Sequence, residues 1–133
     1  QVGNPERTVV AIAGDGGFGY ALAELATQRL HELPVISVVF NDGAFGNVKR
    51  TQQQAFDGRL IAAELANPDF AQLARAFGID GERVASPDAL QSALRSAVAA
   101  RAPALIEVTV GEMPSAWPLI ASSGGIYPVL LGG

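Results

Sequence analysis

Two short glycine-containing turns carry the residues whose types and spacing could do chemistry. The first reads G-D-G-G-F-G over 14–19, and the second reads N-D-G-A-F-G over 41–46. Glycines that lead into a helix expose backbone amides able to bind an anion. Asp15 nevertheless lies among them, and a carboxylate repels a phosphate unless a cation lies between the two. Because Asp42 supplies a second carboxylate, we predict a diphosphate site in which a divalent metal joins anion and protein.

The elements that must position these turns alternate between strand and helix patterns. Apolar runs predict strands at 8–13, 35–40, 83–85 and 104–110, the first of them of the buried parallel type. Helical spacing predicts helices over 18–30, from Asn67-Pro68-Asp69 to Gly78, and from Ser86 to about Arg101, with 47–54 helical or irregular. This alternation predicts the α/β class, with a doubly wound, mainly parallel sheet and helices on both faces. Both turns then lie at carboxyl ends of strands, where such sheets bind ligands.

Composition narrows the possible functions. The chain has 133 residues, of which 49% are hydrophobic, and a net charge of −4, which argues against a nucleic-acid partner. It has no cysteine, no apolar run of membrane-spanning length and no basic-then-apolar signal segment, so we expect a cytoplasmic protein without a membrane partner. We predict a single domain over 1–133, with an irregular tail at 112–133, that is a fragment of a larger protein.

The glycines also permit an alternative interpretation. Gly14, Gly16 and Gly19 match the G-x-G-x-x-G pattern of a Rossmann-type NAD- or FAD-binding domain. Two details oppose it, because Asp15 would repel a directly bound pyrophosphate and Asp42 follows Gly14 by 28 residues instead of about 20. A receiver-type signalling domain is also disfavoured, because no lysine follows the last strand. For Gly19, a tight turn with close packing of the helix is the favoured interpretation.

Taken together, the two turns resemble a known cofactor motif. Gly14-Asp15-Gly16, then 24 residues, then Asn41-Asp42 is similar to the thiamine-diphosphate motif of G-D-G, about two dozen residues, and N-N or N-D. The chain therefore resembles the C-terminal, diphosphate-binding domain of the acetolactate synthase and 2-oxoacid decarboxylase family. Further likeness lies in E-L-A-T at 24–27, L-P-V at 33–35, F-G-N-V at 45–48 and A-P-A-L-I-E-V at 102–108.

The resemblance implies roles for individual residues. Mg²⁺ or Ca²⁺ would be held by Asp15, Asp42 and the Ala44 carbonyl, with Asn41 and the Gly43 carbonyl as the alternative if the ligands shift by one position. The implied cofactor-binding residues are Gly14, Asp15, Gly16, Gly17, Asp42, Ala44, Phe45 and Gly46. Among them, the backbone amides of Gly16 and Gly17 would contact the diphosphate. Asn47 and Val48 match positions that face the thiazolium or the substrate.

The resemblance also implies an activity that this chain does not complete. Family members decarboxylate a 2-oxoacid, often with addition to a second carbonyl, and their activating glutamate lies on a pyrimidine-binding domain, normally of a neighbouring subunit. We therefore expect no catalytic residue in this chain, an inactive isolated chain and a homo-oligomeric enzyme, either dimer or tetramer. Apolar surface covered by partner domains should be exposed here.

Overall fold

A parallel four-stranded sheet forms the centre of the molecule. The computed structural model describes residues 1–112 and Pro114, so most of the predicted irregular tail lies outside the described residues. The strands are β1 (Val9–Gly14), β2 (Val35–Asn41), β3 (Asp80–Val84) and β4 (Ala104–Thr109). Their order is β1-β2-β4-β3 and every pair is parallel, with Val9 opposite Val35. The predicted α/β fold class is confirmed.

Five helices connect these strands. They are α1 (Asp15–Gly19), α2 (Glu24–Leu30), α3 (Gly46–Ala55), α4 (Phe70–Ala76) and α5 (Pro87–Ala100). The predicted starts of α4 and α5 are confirmed, because Asp69 accepts the Gln72 N–H at 2.7 Å and Ser86 accepts the Ala89 N–H at 3.2 Å. In the described part of the chain, no helix combines the length and apolar character that a membrane crossing requires.

Two predicted element boundaries are wrong. The single helix expected over 18–30 is divided into α1 and α2, and the intervening Tyr20 and Ala21 donate to carbonyls three residues earlier. Glycines at three of the five α1 positions are poor helix formers, which explains why the first helix is short and tightens into this turn. The third strand begins at Asp80, before the predicted 83–85 segment, because it pairs with β4 from that residue onward.

Helices cover both faces of the sheet and enclose two apolar cores. One core lies between the sheet and helices α1, α2 and α4, and contains Phe18, Leu25, Val39, Phe70, Ala74, Ile79 and Leu105. The other lies between the sheet and α5, and contains Ile36, Val38, Val84, Ala93, Ile106 and Val108. β2 is apolar and covered on both sides, as its continuous apolar run predicted.

The expectation that the first strand is buried is wrong. β1 lies at the edge of the sheet, and its Val10 and Ile12 side chains are 43% and 72% exposed. They pair in register with Ile36 and Val38, which pack on the α5 side. Because α5 covers the neighbouring strands but leaves these two side chains exposed, the α5-side face of β1 is an open apolar surface.

Candidate functional site

The two predicted turns meet at the carboxyl edge of the sheet. β1 ends at Gly14, which pairs with Phe40 of β2, so the residues after each strand emerge side by side. The contact between the turns is direct, because the Gly43 N–H donates to Asp15 Oδ2 at 2.9 Å. The structure thus brings Asp15 and the 41–46 turn together across 28 residues of sequence.

Asp15 is the first residue of α1 and is only 3% exposed. Its Oδ1 accepts the Gly16 N–H at 2.8 Å, and its Oδ2 accepts the Gly43 N–H and, at 2.5 Å, the Asn67 side-chain amide. A buried carboxylate is costly unless hydrogen-bonded, and here three donors satisfy it. The dipole at the start of a helix also favours the negative charge. Asp15 is therefore held as an acceptor in a fixed position.

Three glycines beside Asp15 border open space. A Cβ added at Gly14, Gly17 or Gly19 would meet no heavy atom of the described residues within 4 Å. At Gly19 the predicted close packing of the helix is therefore not seen among these residues, whereas the predicted tight turn is, because α1 ends there and the chain turns at Tyr20 and Ala21. At the first two positions the missing side chains leave the α1 turn accessible from outside, which suits an approaching anion.

Close approach requires glycine at Gly16 and leaves little room for a side chain at Gly46. A Cβ at Gly16 would overlap the Phe45 ring and lie 3.2 Å from Leu65 Cδ1. A Cβ at Gly46 would lie 3.1 Å from Asp42 Oδ2, tighter than an ordinary contact. Each turn therefore contributes one glycine whose lack of a side chain lets the site close around its neighbours.

The 41–46 turn is fixed by its own side chain and by a short β-bridge. Asp42 Oδ1 accepts the Ala44 N–H at 3.2 Å, and Gly43 has φ +72°, which glycine adopts readily. Ala44 forms an antiparallel bridge with Glu64, in which the Gly43 carbonyl accepts the Leu65 N–H at 2.8 Å. In this kind of pair the Ala44 carbonyl faces away from the bridging segment, whereas the Gly43 carbonyl faces toward it.

Both the oxygen and the nitrogen of the Asn41 side-chain amide form hydrogen bonds within the protein. Its Oδ1 accepts the Gly43 N–H at 3.2 Å and the Asn67 side-chain amide at 3.0 Å, and its Nδ2 donates to Glu107 Oε1 at 2.8 Å. An amide oxygen has two lone pairs, and both face donors. Asn41 therefore joins the turn to the sheet.

Three residues of this site were not singled out from the sequence: Asn67, Arg83 and Glu107. Glu107 is 1% exposed in β4 and accepts the Ala71 N–H at 3.2 Å and the Arg83 guanidinium at 3.1 Å. The hydrogen bond from Arg83 to Glu107 raises the pKa of Arg83 above its usual value, so this partner stays charged. The sequence did offer a signal for Glu107, because a carboxylate inside the apolar run A-L-I-E-V indicates a buried charge that needs partners. It offered none for Asn67, which looks like an ordinary residue at a helix start.

The predicted substrate-facing residues lie at the start of α3, next to the 41–46 turn. Asn47 and Val48 are both exposed in its first turn. Asn47 Oδ1 accepts Arg50 Nη1 at 3.0 Å, so its side chain is partly engaged. Both residues are accessible at the carboxyl edge of the sheet.

The available acceptors at this edge are all oxygens, which suits a hard cation such as Mg²⁺ or Ca²⁺. They are the two carboxylates Asp15 and Asp42 and the backbone carbonyl of Ala44. Within the described residues, no cluster of three or more His, Cys, Asp or Glu side chains could hold a metal. A cation here would therefore need the carbonyl and oxygens from a ligand to complete its coordination.

Comparisons with known proteins agree with this geometry. The family model described as "Thiamine pyrophosphate enzyme, C-terminal TPP binding domain" matches residues 1–108. The acetolactate synthase isozyme 2 large subunit of Escherichia coli (strain K12) is 37% identical over 121 residues, covering 90% of this chain and 22% of the relative. Sulfoacetaldehyde acetyltransferase of Castellaniella defragrans is 36% identical over 101 residues, covering 76% of this chain and 17% of the relative.

A solved structure shows the same fold. The thiamine diphosphate-dependent 4-hydroxybenzoylformate decarboxylase of Rhodococcus jostii RHA1 is similar with a TM-score of 0.79 and 30% identity, over 86% of this chain and 22% of that protein. The chain thus spans about a fifth of the length of these relatives. The family match covers most of the chain and confirms the resemblance predicted from the two-part motif. The chain belongs to the C-terminal TPP-binding domain family of the thiamine pyrophosphate enzymes.

Proposed function

We propose that this chain binds the diphosphate of thiamine diphosphate through Mg²⁺ or Ca²⁺. It would do so as the C-terminal domain of an acetolactate synthase-like enzyme that acts on a 2-oxoacid by decarboxylation, carboligation or both. The observation that carries the proposal is the hydrogen bond from Gly43 to Asp15, which joins the two halves of the motif at one sheet edge.

The hydrogen bonds favour one set of metal ligands over its alternative. Asn41 Oδ1 accepts two protein donors, which use both of its lone pairs, and the Gly43 carbonyl faces the bridging segment, where it accepts the Leu65 N–H. In the other ligand set, each ligand lies one residue later in the chain. Its atoms are Asp42 Oδ2 and the oxygen of the outward-facing Ala44 carbonyl. We therefore assign the metal to Asp15, Asp42 and Ala44. The second carboxylate adds negative charge, which strengthens the requirement for a cation before a diphosphate can bind.

The open glycine positions support a diphosphate beside α1. The backbone N–H of Gly17 lies in the first helical turn, where it has no acceptor within the helix and can donate to an anion. The Gly16 N–H donates to Asp15, so it contributes by fixing that carboxylate. Phe45 and Gly46 follow the metal-binding residues and would line the path of the cofactor, together with Gly14.

The rest of the active site would be supplied by other domains or subunits. Thiamine diphosphate, when bound, supplies the carbanion-stabilising chemistry of such reactions. The glutamate that activates it would come from a pyrimidine-binding domain, with Asn47 and Val48 facing the substrate from this side. The exposed Val10 and Ile12 support a surface that is covered by further domains or subunits. The chain would then be a single domain of a homo-oligomeric, cytoplasmic enzyme.

A binding experiment tests the proposal directly. Thermal melts of the full chain with thiamine diphosphate, with and without Mg²⁺, and with NAD should show stabilisation only by the thiamine diphosphate–metal pair. At 100 times Kd, binding to the native state adds about 2.7 kcal/mol, which is about 10 °C for a domain of this size. Metal-independent stabilisation by NAD would instead support a dinucleotide site.

An activity assay tests the claim that this chain is half of an active site. The purified chain should not decarboxylate a 2-oxoacid, even with saturating thiamine diphosphate and Mg²⁺, because the proposal places the activating glutamate on a pyrimidine-binding domain. Sustained release of CO₂ from pyruvate by the chain alone would contradict this part of the proposal.

A further inference from the structure

We infer that Asn67 is a positioning residue for the metal-binding carboxylate of Asp15. The inference rests on the metal-dependent binding proposed above. It identifies which oxygen of Asp15 would bind the metal and which residue holds that oxygen in place. Asn67 Nδ2 donates to both Asp15 Oδ2 and Asn41 Oδ1, at 2.5 and 3.0 Å. The Gly43 N–H donates to the same two oxygens, at 2.9 and 3.2 Å. Two donors and two acceptors thus form a closed ring that ties together three separate segments.

The ring leaves one oxygen of Asp15 for a metal. Oδ2 receives two donors, which use both of its in-plane lone pairs. Oδ1 receives only the Gly16 N–H among the described residues, so one of its lone pairs remains. Asp15 therefore offers a single oxygen, Oδ1, in a defined direction. Removing Asn67 would free one lone pair of Oδ2 and leave that oxygen held by the Gly43 N–H alone, so the carboxylate would be less firmly oriented.

The orientation of the ring is set by a buried charge. Glu107 can only accept, so the Asn41 side-chain NH₂ must face it, and this fixes Asn41 Oδ1 toward Asn67. The Arg83 guanidinium in turn contacts Glu107 at 3.1 Å and compensates its charge. Asn67 thus receives a fixed acceptor on one side, which directs its second N–H to Asp15. Partners of this kind typically change metal affinity by about 10- to 100-fold when removed.

The test compares Asn67→Ala with Asp69→Ala in the full chain. Asp69 caps the same end of α4 and contacts Arg83 at 3.2 Å, but it does not donate to Asp15. The Asp69→Ala variant therefore reproduces a loosening of α4 without removing the ring. The readout is the Mg²⁺ concentration that gives half of the thermal stabilisation by saturating thiamine diphosphate. Circular dichroism establishes that each variant is folded.

We expect Asn67→Ala to raise the half-maximal Mg²⁺ concentration about 10- to 100-fold, with recovery at high Mg²⁺, and Asp69→Ala to stay within about threefold of wild type. Asn67→Ser should behave like Asn67→Ala, because its shorter side chain does not span the ring. Equal Mg²⁺ dependence in the Asn67 and Asp69 variants would overturn the inference. So would unfolding of both Asn67 variants while Asp69→Ala folds. A wild-type chain without Mg²⁺-dependent stabilisation would instead refute the proposed function itself.

Discussion

Replacing Glu107 by glutamine tests the buried hydrogen-bond network beneath the candidate site. The substitution keeps the shape of the side chain and removes its charge. In the native chain Glu107 accepts hydrogen bonds from Asn41, Ala71 and Arg83. Glutamine offers one acceptor oxygen and an NH₂ group that cannot accept. At least one of these donors must therefore lose its partner.

The size of the effect follows from these contacts. A buried N–H without an acceptor costs about 1–3 kcal/mol. The bond from Arg83 also becomes weaker when its acceptor is neutral, although that side chain is 48% exposed and water replaces part of the loss. We expect the free energy of unfolding to fall by about 2–3 kcal/mol, which lowers Tm by about 10 °C in a domain of this size.

Thermal melts followed by circular dichroism measure this change, with Glu82→Gln as the matched control. Glu82 is exposed on β3 and pairs with Ile106, next to Glu107, so the control removes the same charge from a neighbouring solvated position. Its stability should change by no more than about 0.5 kcal/mol. Equal Tm values for Glu107→Gln and Glu82→Gln would refute the conclusion that Glu107 organises buried donors.

Three further predictions concern the site itself. Gly16→Ala forces a methyl group against the Phe45 ring and should lower stability by about 1–3 kcal/mol, so an unchanged urea midpoint would contradict the observed packing. Asp42→Ala should abolish Mg²⁺-dependent binding of thiamine diphosphate in calorimetry while Asp42→Asn keeps it, and binding by both would exclude Asp42 as a ligand. A chelator should remove the stabilisation by thiamine diphosphate but leave the Tm of the cofactor-free chain unchanged, and stabilisation that persists would indicate direct diphosphate binding.

The sequence was sufficient for the fold class and for the two halves of the motif. β2 shows why, since an unbroken apolar run is typical of a strand buried on both faces. Asp15 was informative because it departs from a common pattern. Its charge argues against the dinucleotide-binding site that the glycines around it would otherwise indicate. Both signals are local, so each can be read without knowing which segments meet in the folded chain.

Other features depend on the topology and could not be predicted locally. β1 has the composition of a buried strand, but its position at the sheet edge leaves Ile12 exposed. The contact of Asn67 with Asp15 joins positions 52 residues apart, and no spacing rule places a residue before α4 beside the end of β1. Short-range patterns predict elements, whereas such contacts arise only when the elements are assembled.

The same network that supports the site also supports the fold, so the proposed metal binding would be coupled to stability. Glu107 accepts an N–H from the first turn of α4 and also orients Asn41, which accepts from the Asn67 amide that holds Asp15. A cation on Asp15 would therefore stabilise the arrangement in which α4 is docked on β4. Loss of Glu107, which orients Asn41, should therefore weaken cation binding, whereas a looser start of α4 that keeps the hydrogen bond from Asn67 to Asp15 should not. If the chain binds a metal as proposed, the buried carboxylate in β4 would link the stability of the domain to its affinity for that metal.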